Sequence, residues 1–404
     1  MATDTITREP APARAYVARP AVRRLGWAGI GVWVAALVGQ IIVAGVPLDR
    51  QAVLAWIAAG LLAFSIGRRP LWTVVSDWLP FASVLVVYDY ARGMADGIGL
   101  PVLWQQPIDV DRFLAGGTVP TVWLQEHLKL GHPPWWEAGV SLTYVSFFLL
   151  PYLVAGVLWL RGRAAFRHWA LRFVTMSYLA VVCFILLPAA PPWAAAGCRP
   201  SDVQDGPSSV GCMYAGGRYV RGDGLLGLMH PVNAGANPWV ERLSTRGWGS
   251  LHIPVARQLL DEGQAGVDQV AAMPSLHAGC TLLFVLFVWP RVRARWRPLL
   301  VGYPLLMAFS LIYSAEHYLV DVLAGWAMAV AVQLGFNRFE RRRNGARTAD
   351  TLVAQSPTVV ENPWPPTATT PSSTSPNGGA LSTRRARSTA AADRPGTTAH
   401  SASS

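Results

Sequence analysis

The stretch Met273-Pro-Ser-Leu-His-Ala-Gly-Cys-Thr-Leu-Leu-Phe-Val-Leu-Phe-Val-Trp-Pro290 joins a polar beginning to an apolar run. Pro274 and Ser275 suit the first turn of a helix, because proline lacks the N–H that would be unpaired there and the serine hydroxyl can cap a free N–H group. The residues that follow are almost entirely apolar. This pattern predicts a helix that begins at a polar surface and continues into a membrane.

Seven other apolar runs accompany this one, and together they indicate the class of the protein. Of the 404 residues, 52% are hydrophobic and only 14% are charged, a composition that is rare in soluble domains. A helix needs about 20 apolar residues to cross a bilayer core. We therefore predict an all-α fold, a polytopic membrane helical bundle with about eight spans. The runs cover about residues 26–46, 53–66, 71–91, 138–160, 171–190, 278–290, 298–315 and 318–336.

The first three runs leave more than one interpretation open. The first follows two arginines, as the apolar part of a signal peptide does, but its length and the lack of a clear small-residue cleavage site favour a retained span. The second run is short for a span. The third contains Asp77 and Pro80, so its first part could lie at the membrane interface.

Arginine clusters lie at the ends of the runs and in the short connections between them. With eight crossings, every cluster falls on the same side of the membrane, and an excess of arginine marks the cytoplasmic side. We therefore predict a multi-pass plasma-membrane protein with both termini in the cytoplasm. These clusters explain much of the net charge of +11, so we do not expect nucleic-acid binding. The clusters are Arg23 and Arg24; Arg68 and Arg69; Arg161, Arg163 and Arg167; Arg291, Arg293, Arg295 and Arg297; and Arg338, Arg341, Arg342 and Arg343.

Two long segments, about 92–137 and 191–276, then face the extracytoplasmic side. The first contains Asp109-Val-Asp-Arg-Phe-Leu and Trp123-Leu-Gln-Glu-His, which predict a short interfacial helix with aromatic anchors. Six of the eight histidines also fall on this side.

Two of the four cysteines could cross-link the extracytoplasmic segment 191–276. Cys198 and Cys212 share this polar segment, whereas Cys183 and Cys280 lie in apolar runs, where we expect packing. In an oxidising compartment Cys198 and Cys212 could form a disulfide. Two free thiols are the alternative.

The most informative polar residues lie where two apolar helices begin on the extracytoplasmic side. His277 lies in a first helical turn, beside N–H groups and a helix dipole that bind phosphate readily. His317-Tyr-Leu-Val-Asp321 places an imidazole and a carboxylate on one face of a helix. The carboxylate can hold one ring nitrogen and leave the other free to attack. An acidic residue in a membrane helix is itself a functional candidate.

Each motif has a simpler interpretation when it is taken alone. A single histidine at a helix end is more often a hydrogen-bonded interface residue, and the His-x-x-x-Asp pattern arises often by chance. Here both motifs begin helices on the same side, within the last three predicted spans. The combination favours a catalytic pair.

The two motifs resemble the second and third signature motifs of the phosphatidic acid phosphatase type 2 superfamily. Pro274-Ser-Leu-His-Ala278 is followed some 40 residues later by His317-Tyr-x-x-Asp321. Within the superfamily the chain looks most like the inositol phosphorylceramide synthase branch and its bacterial relatives. Pro188-Ala-Ala-Pro-Pro-Trp193 is also similar to that branch, and the likeness covers about residues 70–340.

The resemblance implies roles for the four motif residues. In that family the histidine of the third motif is the nucleophile, its aspartate orients it, and the histidine of the second motif is the general acid. These residues are His317, Asp321 and His277 here, with Ser275 binding the phosphate. The implied intermediate is a phosphohistidine, formed at the extracytoplasmic face.

The implied activity is a phosphotransferase that moves an inositol phosphate-like headgroup from a phospholipid to an acceptor alcohol. A lipid phosphate phosphatase of the same superfamily is one alternative. The alternative of another class is a transporter or scaffold in which the His and Asp residues only pack. The resemblance and the membrane class imply a phospholipid or lipid-linked phosphate substrate, whereas the sequence predicts no oligomeric state.

The chain departs from the phosphatase pattern where that pattern supplies positive charge. The first motif, a lysine followed after six residues by Arg-Pro, is absent, and Lys129 does not fit it. Leu311 stands where the phosphatases have an arginine six residues before the third-motif histidine. The lipid phosphotransferase branch lacks this cradle too, so the departure favours transfer over hydrolysis.

Some cation must still balance the phosphate, and four arginines are candidates. Each could instead be a solvated or interfacial side chain. The candidates are Arg92, Arg199, Arg218 and Arg221.

A set of His and Asp residues could also bind a metal. The sequence contains no His-Glu-x-x-His pattern and no cysteine pair at zinc spacing. The superfamily mechanism needs no metal, so we expect neither a metal nor a cofactor.

The composition divides the chain into four segments. The polar ends, 1–24 and 341–404, are predicted to be disordered and cytoplasmic, because neither could bury enough apolar surface to offset its chain entropy. Residues 25–70 form two accessory spans, and residues 71–340 form the superfamily-like membrane domain. Six of the predicted spans belong to that domain and form its catalytic core.

Overall fold

The computed structural model describes residues 20–44, 50–66, 70–95, 100–214, 222, 224–250 and 270–355. These residues are mainly helical and contain no β-strand, although isolated parallel bridges join Leu103 to Ala189 and Ala189 to Ala271. The predicted all-α class is confirmed. The helices are α1 (Pro20–Ala44), α2 (Arg50–Ser65), α3 (Leu71–Ala95), α4 (Gln106–Leu114), α5 (Pro120–Leu128), α6 (Glu137–Arg161), α7 (Arg163–Leu186), α8 (Pro192–Gly197), α9 (Gly211–Tyr214), α10 (Leu276–Val288), α11 (Arg297–Tyr313) and α12 (Leu319–Gln355).

All eight apolar runs coincide with helices. Among the described residues, five helices (α1, α6, α7, α11 and α12) are long and apolar enough to cross a membrane. The helices α2 and α10 are apolar but shorter. The protein is therefore a multi-pass membrane helical protein, and the number of eight spans stays a prediction.

The helices extend into both segments that were predicted to be disordered. Helix α1 begins at Pro20, where a proline suits the first helical turn, and α12 continues to Gln355. No proline interrupts 341–355, and arginine and alanine are strong helix formers. The chain divides into two compact units, of which the first ends at Arg347. Of the second unit, only residues 348–355 are described. The predicted disorder of 1–19 and 356–404 lies outside the described residues.

The helical bundle has two chemically distinct ends. At the first, here called the basic end, α6 finishes at Arg161 and α7 begins at Arg163. At the second, here called the site end, α10 begins at Leu276 and α12 begins at Leu319.

A buried carboxylate joins three helices near the basic end. Asp77 on α3 accepts hydrogen bonds from the Trp159 indole N–H (2.9 Å) and from Nε and Nη2 of Arg163 (2.6 Å each). Trp78 and Phe166 pack beside it in the largest apolar cluster. A buried charge is tolerated only when it is paired in this way, so Asp77 fixes α3 against α6 and α7.

A second polar contact fixes α12 to α7. The Arg172 side chain is only 3% exposed, and it pairs with the Glu340 carboxylate at 2.8 Å. Its other nitrogens donate to the amide oxygens of Gln333 (3.2 Å) and Asn337 (3.3 Å). Interhelical polar bonds of this kind hold membrane helices together where the hydrophobic effect contributes little.

At the site end, the loop between α9 and α10 is fastened to the bundle by a buried acid. Glu137, the first residue of α6, accepts two N–H bonds from Arg246 (2.7 and 2.6 Å) and the Tyr313 hydroxyl (2.6 Å). Gly247 allows this approach, because a Cβ there would lie 2.1 Å from the Glu137 carbonyl oxygen. The Arg246–Gly247 part of the loop is thereby held against the start of α6.

Helices α10 and α12 approach each other closely at two glycines. A Cβ on Gly325 would lie 2.2 Å from the carbonyl oxygen of Ser275. A Cβ on Gly279 would lie 2.8 Å from the carbonyl oxygen of Gly325 and 2.1 Å from the methyl carbon of Met176. Glycine is therefore required where the backbones meet, as is common in membrane helix packing.

We expect Gly325→Ala to push α10 and α12 apart, whereas Gly335→Ala on the same helix meets nothing within 4 Å. Overpacking costs roughly 1–3 kcal/mol, while alanine in place of glycine favours an unobstructed helix by about 1 kcal/mol. Thermal unfolding of both variants in one detergent should give a lower midpoint for Gly325→Ala only. Equal midpoints would show that the close approach is not needed.

Candidate active site

Two helix starts meet at the site end, and they carry the four motif residues. The backbone N–H of Ser275, at the start of α10, donates to the carbonyl oxygen of Asp321 on α12 over 2.9 Å. The ring centroids of His277 and His317 lie 5.6 Å apart. The structure thus brings Ser275, His277, His317 and Asp321 into one cluster.

His317 faces the Asp321 carboxylate. Its Nδ1 lies 3.4 Å from Asp321 Oδ2, and the two side chains are 9% and 0% exposed. The contact does not have hydrogen-bond geometry, and within the described residues neither His317 Nδ1 nor Asp321 Oδ1 has a hydrogen-bond partner. Catalytic hydrogen bonds are often long in unliganded enzymes and shorten when substrate binds. Nδ1 faces the acid, and Nε2 is therefore the ring nitrogen available for attack.

The start of α12 is capped by two carboxylates. Asp321 Oδ2 accepts the backbone N–H of Tyr318 at 2.9 Å. The fully buried Asp111 of α4 accepts the next two, Leu319 N–H at Oδ2 and Val320 N–H at Oδ1, both at 2.9 Å. Burial raises the pKa of Asp111 to about 6, although these two hydrogen bonds oppose the shift. This helix start is therefore already occupied by negative charge.

The sequence predicted an interfacial helix around Asp111 but assigned that residue no role. The structure shows two short helices there, α4 and α5. A contact between Asp111 and Val320, 209 positions apart in sequence, leaves no local pattern. Only the amphipathic character of α4 could have marked Asp111 as a residue facing inward.

His277 lies in an aromatic cage built by α6. Its ring stacks on Tyr144 (centroids 5.0 Å apart, 17° between the planes) and contacts Phe147 at 4.0 Å and Phe148 at 5.6 Å. Its Nε2 is buried and has no hydrogen-bond partner among the described residues. The cage fixes the plane of the imidazole and leaves a polar atom without a protein partner.

Ser275 caps α10 as its position in the motif predicted. Its Oγ accepts the Ala278 backbone N–H at 3.3 Å, and the residue is fully buried. The backbone N–H groups of Leu276 and His277 lie in the first turn, where a helix offers no acceptor of its own. Since the start of α12 is taken by carboxylates, α10 presents the helix start that can receive an anion.

Two arginines place positive charge near this helix start. The charges of Arg92 and Arg242 both act on the His277 imidazole. Arg92, in the last turn of α3, has a buried Nε without a hydrogen-bond partner in the described part of the chain. The guanidinium of Arg242 binds the Glu316 carboxylate through Nε (2.7 Å) and Nη2 (2.9 Å) and lies 4.7 Å from the Trp193 ring centroid.

Of the four arginines proposed from the sequence, Arg92 is the one whose charge acts on His277 within the described residues. Arg199 is exposed next to the disulfide between Cys198 and Cys212, whose Cα atoms lie 5.3 Å apart. Arg218 and Arg221 lie outside the described residues. The sequence did not single out Arg242, since its partner Glu316 is 74 positions away.

Leu311 shows why the phosphatase-type cationic cradle has no counterpart at its usual place. The side chain is fully buried in an apolar cluster with Ala278, Met307 and Val322. A guanidinium at this position would enter a packed apolar cluster. Positive charge has to reach the site from α3 and from the loop before α10 instead.

The turn between α11 and α12 connects the proline-rich stretch to the site. Ala315 has φ of 60°, in the left-handed region that glycine prefers, and its carbonyl oxygen accepts the Trp193 N–H at 3.0 Å. Ala315 is fully buried in a cluster that includes Tyr318 and Ala195. Pro188–Trp193 therefore supports the turn that delivers His317.

The arrangement combines an imidazole beside a carboxylate, a second imidazole, an open helix start and nearby guanidinium groups. Such a set can form a bond from nitrogen to phosphorus, transfer a proton and stabilise negative charge. Among the described residues, no group of three or more His, Cys, Asp or Glu side chains could hold a metal ion.

Comparison with known proteins places this arrangement in a family. A model of the PAP2 superfamily matches residues 109–335, which is more than half of the chain. Inositol phosphorylceramide synthase from Candida albicans (strain SC5314 / ATCC MYA-2876) is 27% identical over 196 residues, covering 46% of this chain and 33% of that protein. The chain therefore matches about a third of the length of that relative. A comparison with the solved structures found no match. On the family match and the motifs that it contains, this chain belongs to the PAP2 superfamily.

Proposed function

We propose that this protein is an integral-membrane phosphotransferase that moves a phospho-headgroup from a phospholipid to an acceptor alcohol. The observation that carries the proposal is the meeting of His317, beside Asp321, with His277 at the start of α10. The similar Candida albicans protein is named inositol phosphorylceramide synthase. An inositol phosphate-like headgroup is therefore the group that we propose is transferred.

In the first proposed step, His317 Nε2 attacks the phosphorus of the phospholipid. The new N–P bond forms as the bond from phosphorus to the lipid alcohol oxygen breaks. Protonated His277 donates its proton to that oxygen, so that the lipid leaves as a neutral alcohol. Asp321 stabilises the positive charge that develops on His317.

In the second step, the acceptor alcohol attacks the phosphohistidine. Neutral His277 takes the proton of the acceptor hydroxyl while the new O–P bond forms and the N–P bond breaks. Both histidines return to their starting states, and no cofactor is consumed. Water in place of the alcohol would give hydrolysis by the same steps.

The proposed phosphate site lies at the start of α10. The hydroxyl of Ser275 and the first-turn N–H groups would bind the equatorial oxygens, and Arg92 would supply a full positive charge. An anionic phosphate beside His277 would also stabilise the protonated imidazole. Arg242 already binds Glu316, so we assign it to holding the loop close to His317.

Leu311 supports transfer over hydrolysis as the main reaction. The apolar cluster around Leu311 and Ala278 forms one wall of the site, and His317 is 9% exposed. An apolar, largely enclosed site favours a lipid acceptor over bulk water. Hydrolysis remains the measurable alternative outcome.

The first prediction separates the two histidines by their leaving groups. His317→Ala should lose the reaction with both the phospholipid and a nitrophenyl diester of the same headgroup, because no nucleophile remains. His277→Ala should slow the phospholipid reaction by roughly 10²–10⁴-fold, a typical general-acid contribution, but should largely spare the first turnover of the nitrophenyl diester. Nitrophenolate needs no proton to leave. The release of radiolabelled lipid alcohol in the first turnover measures the reaction with the phospholipid. The release of nitrophenol in the first turnover measures the reaction with the nitrophenyl diester.

His127→Ala is the matched control, since this exposed histidine of α5 stacks on Trp123. It should react like the wild type. Full activity of His317→Ala towards a panel of labelled phospholipids would contradict the proposed mechanism. A wild-type protein that reacts with none of these substrates would favour the transporter or scaffold alternative.

The second prediction concerns the cation. Arg92→Gln should lower kcat/KM by roughly 10²-fold, the usual effect of removing one group that stabilises a developing anion. Arg295→Gln, at an exposed position of the basic end, is the charge-matched control and should change little. A wild-type value for Arg92→Gln would move the phosphate-binding role to another arginine.

The third prediction concerns orientation, for which we propose that the basic end faces the cytoplasm and the site end faces outward. A membrane-impermeant thiol reagent applied to intact cells should label Ala234→Cys in the loop before α10. It should label Arg295→Cys only after the cells are permeabilised. The reverse pattern would overturn the proposed side of the active site.

A further inference from the structure

We propose that Asp111 is a positioning residue for the His317–Asp321 pair: it accepts two N–H groups of α12 so that Asp321 stays directed at the imidazole. The inference rests on the proposed function. It adds a third acidic residue to the site, contributed by the short helix α4, and this residue does not itself touch the reacting atoms.

The start of α12 presents three consecutive backbone N–H groups to two carboxylates. Asp111 takes those of Leu319 and Val320, and Asp321 takes that of Tyr318, each over 2.9 Å. An acidic residue in a first helical turn often folds back to bind several of its own helix's N–H groups. With Asp111 in place, Asp321 binds one such group through Oδ2, and the same oxygen lies 3.4 Å from His317 Nδ1.

Removing the Asp111 carboxylate would leave buried N–H groups without an acceptor. A buried donor without a partner is costly, so the nearest oxygens would be drawn towards it. One uncommitted oxygen in the same helical turn is Asp321 Oδ1, which has no hydrogen-bond partner within the described residues. Asp321 would then turn towards the backbone and away from His317.

The same two hydrogen bonds also fix the backbone that carries the nucleophile. Leu319 and Val320 follow His317 by two and three positions. Asp111 is fully buried, and Ile108 on α4 belongs to the same buried apolar cluster as Ala315 and Tyr318, which lie on either side of the Glu316–His317 segment. Helix α4 thus holds the α11–α12 turn by both apolar packing and hydrogen bonds.

A purely structural cap at this position would not need a charge. Burial, the largest influence, raises the pKa of Asp111 from 3.8 to about 6, and the nearby Asp321 charge acts in the same direction. The other titratable groups beside these two carboxylates include the His317 imidazole, 3.4 Å from Asp321, the buried Tyr318 phenol and Arg112 on α4. At neutral pH the folded protein therefore maintains a carboxylate that its surroundings disfavour. Such a disfavoured charge is typical of functional sites.

The test compares Asp111→Asn with Asp109→Asn on the same helix. Asp109 is exposed and lies 3.5 Å from Arg112, so it is the matched control. Asparagine keeps the shape of the side chain but offers one acceptor in place of two. We expect Asp111→Asn to lower kcat for headgroup transfer about tenfold or more, with KM changed less than about twofold, since the loss is confined to orientation. Asp109→Asn should match the wild type in both.

A double-mutant cycle with Asp321→Asn tests the route of the effect. Because Asp111 acts through Asp321, adding Asp111→Asn to Asp321→Asn should lower kcat by less than about twofold more. A full, multiplicative loss in the double variant would overturn the inference. Wild-type kcat in the single Asp111→Asn variant would overturn it as well, while leaving the proposed function intact.

Thermal stability separates positioning from a loss of fold. In the wild type, the contribution of Asp111 to stability should fall as pH rises from about 4 through about 6, because the folded state holds the Asp111 proton more tightly than the unfolded chain. Asp111→Asn lacks this titration. The difference between its thermal unfolding midpoint and that of the wild type should therefore shift in favour of the variant as pH rises through the same range. A variant that is at least as stable as the wild type at pH 7.5 yet turns over slowly supports the inference. If low activity came with a midpoint that fell in parallel at every pH, the role would be structural.

The outcomes also separate this inference from the proposed function. If the wild-type protein transfers or hydrolyses no phospholipid headgroup, the proposed function fails. If the wild type is active and Asp111→Asn equals it, only the positioning role fails.

Discussion

The crossing of α10 and α12 at Gly279 and Gly325 is the contact on which the site depends. It lets the Ser275 N–H donate to the Asp321 carbonyl oxygen, a bond between two backbones. Because no flexible side chain intervenes, the two helix starts cannot drift independently. His277 and His317 are separated widely in sequence, yet their relative position is set by two main chains in direct contact.

The two helix starts are chemically different, and this difference is consistent with the separate roles that we propose for them. Ser275 caps α10 with a neutral hydroxyl, so the positive end of that helix stays available to an anion. Asp111 and Asp321 cap α12 with two carboxylates, so negative charge surrounds the base of His317. One helix is suited to receive a phosphate and the other to stabilise a cationic imidazole. A substrate phosphate would therefore be placed between complementary charges.

Three charged groups away from the two histidines are paired, as a membrane interior requires. Asp77, Arg172 and Glu137 each have several partners that tie neighbouring helices together. Within the site, by contrast, His277 Nε2 and Asp321 Oδ1 are buried without hydrogen-bond partners among the described residues. Paired charges around the site and unpaired polar atoms within it suit the preorganised catalysis that we propose.

The sequence by itself determined the helical membrane class, the position of the apolar runs and the four motif residues. These features are local: apolar length predicts a helix in a bilayer, and a spacing of four places His317 and Asp321 on one helix face. The capping role of Ser275 was also predictable, because a cap acts within its own first turn. Helix ends were less predictable, and α1 and α12 extend beyond the predicted segment boundaries.

Only the tertiary structure decided which distant side chains join those motifs. The backbone on either side of His317 is held by distant residues: Asp111 on α4 binds N–H groups of α12, and Arg242 binds the Glu316 carboxylate. Arg92 was one of several arginines until the fold brought its charge within electrostatic reach of His277. Contacts of this kind join residues that are tens to hundreds of positions apart, and no periodicity connects them. They follow from where helices cross, which depends on close backbone approach at particular glycines and therefore on the whole bundle.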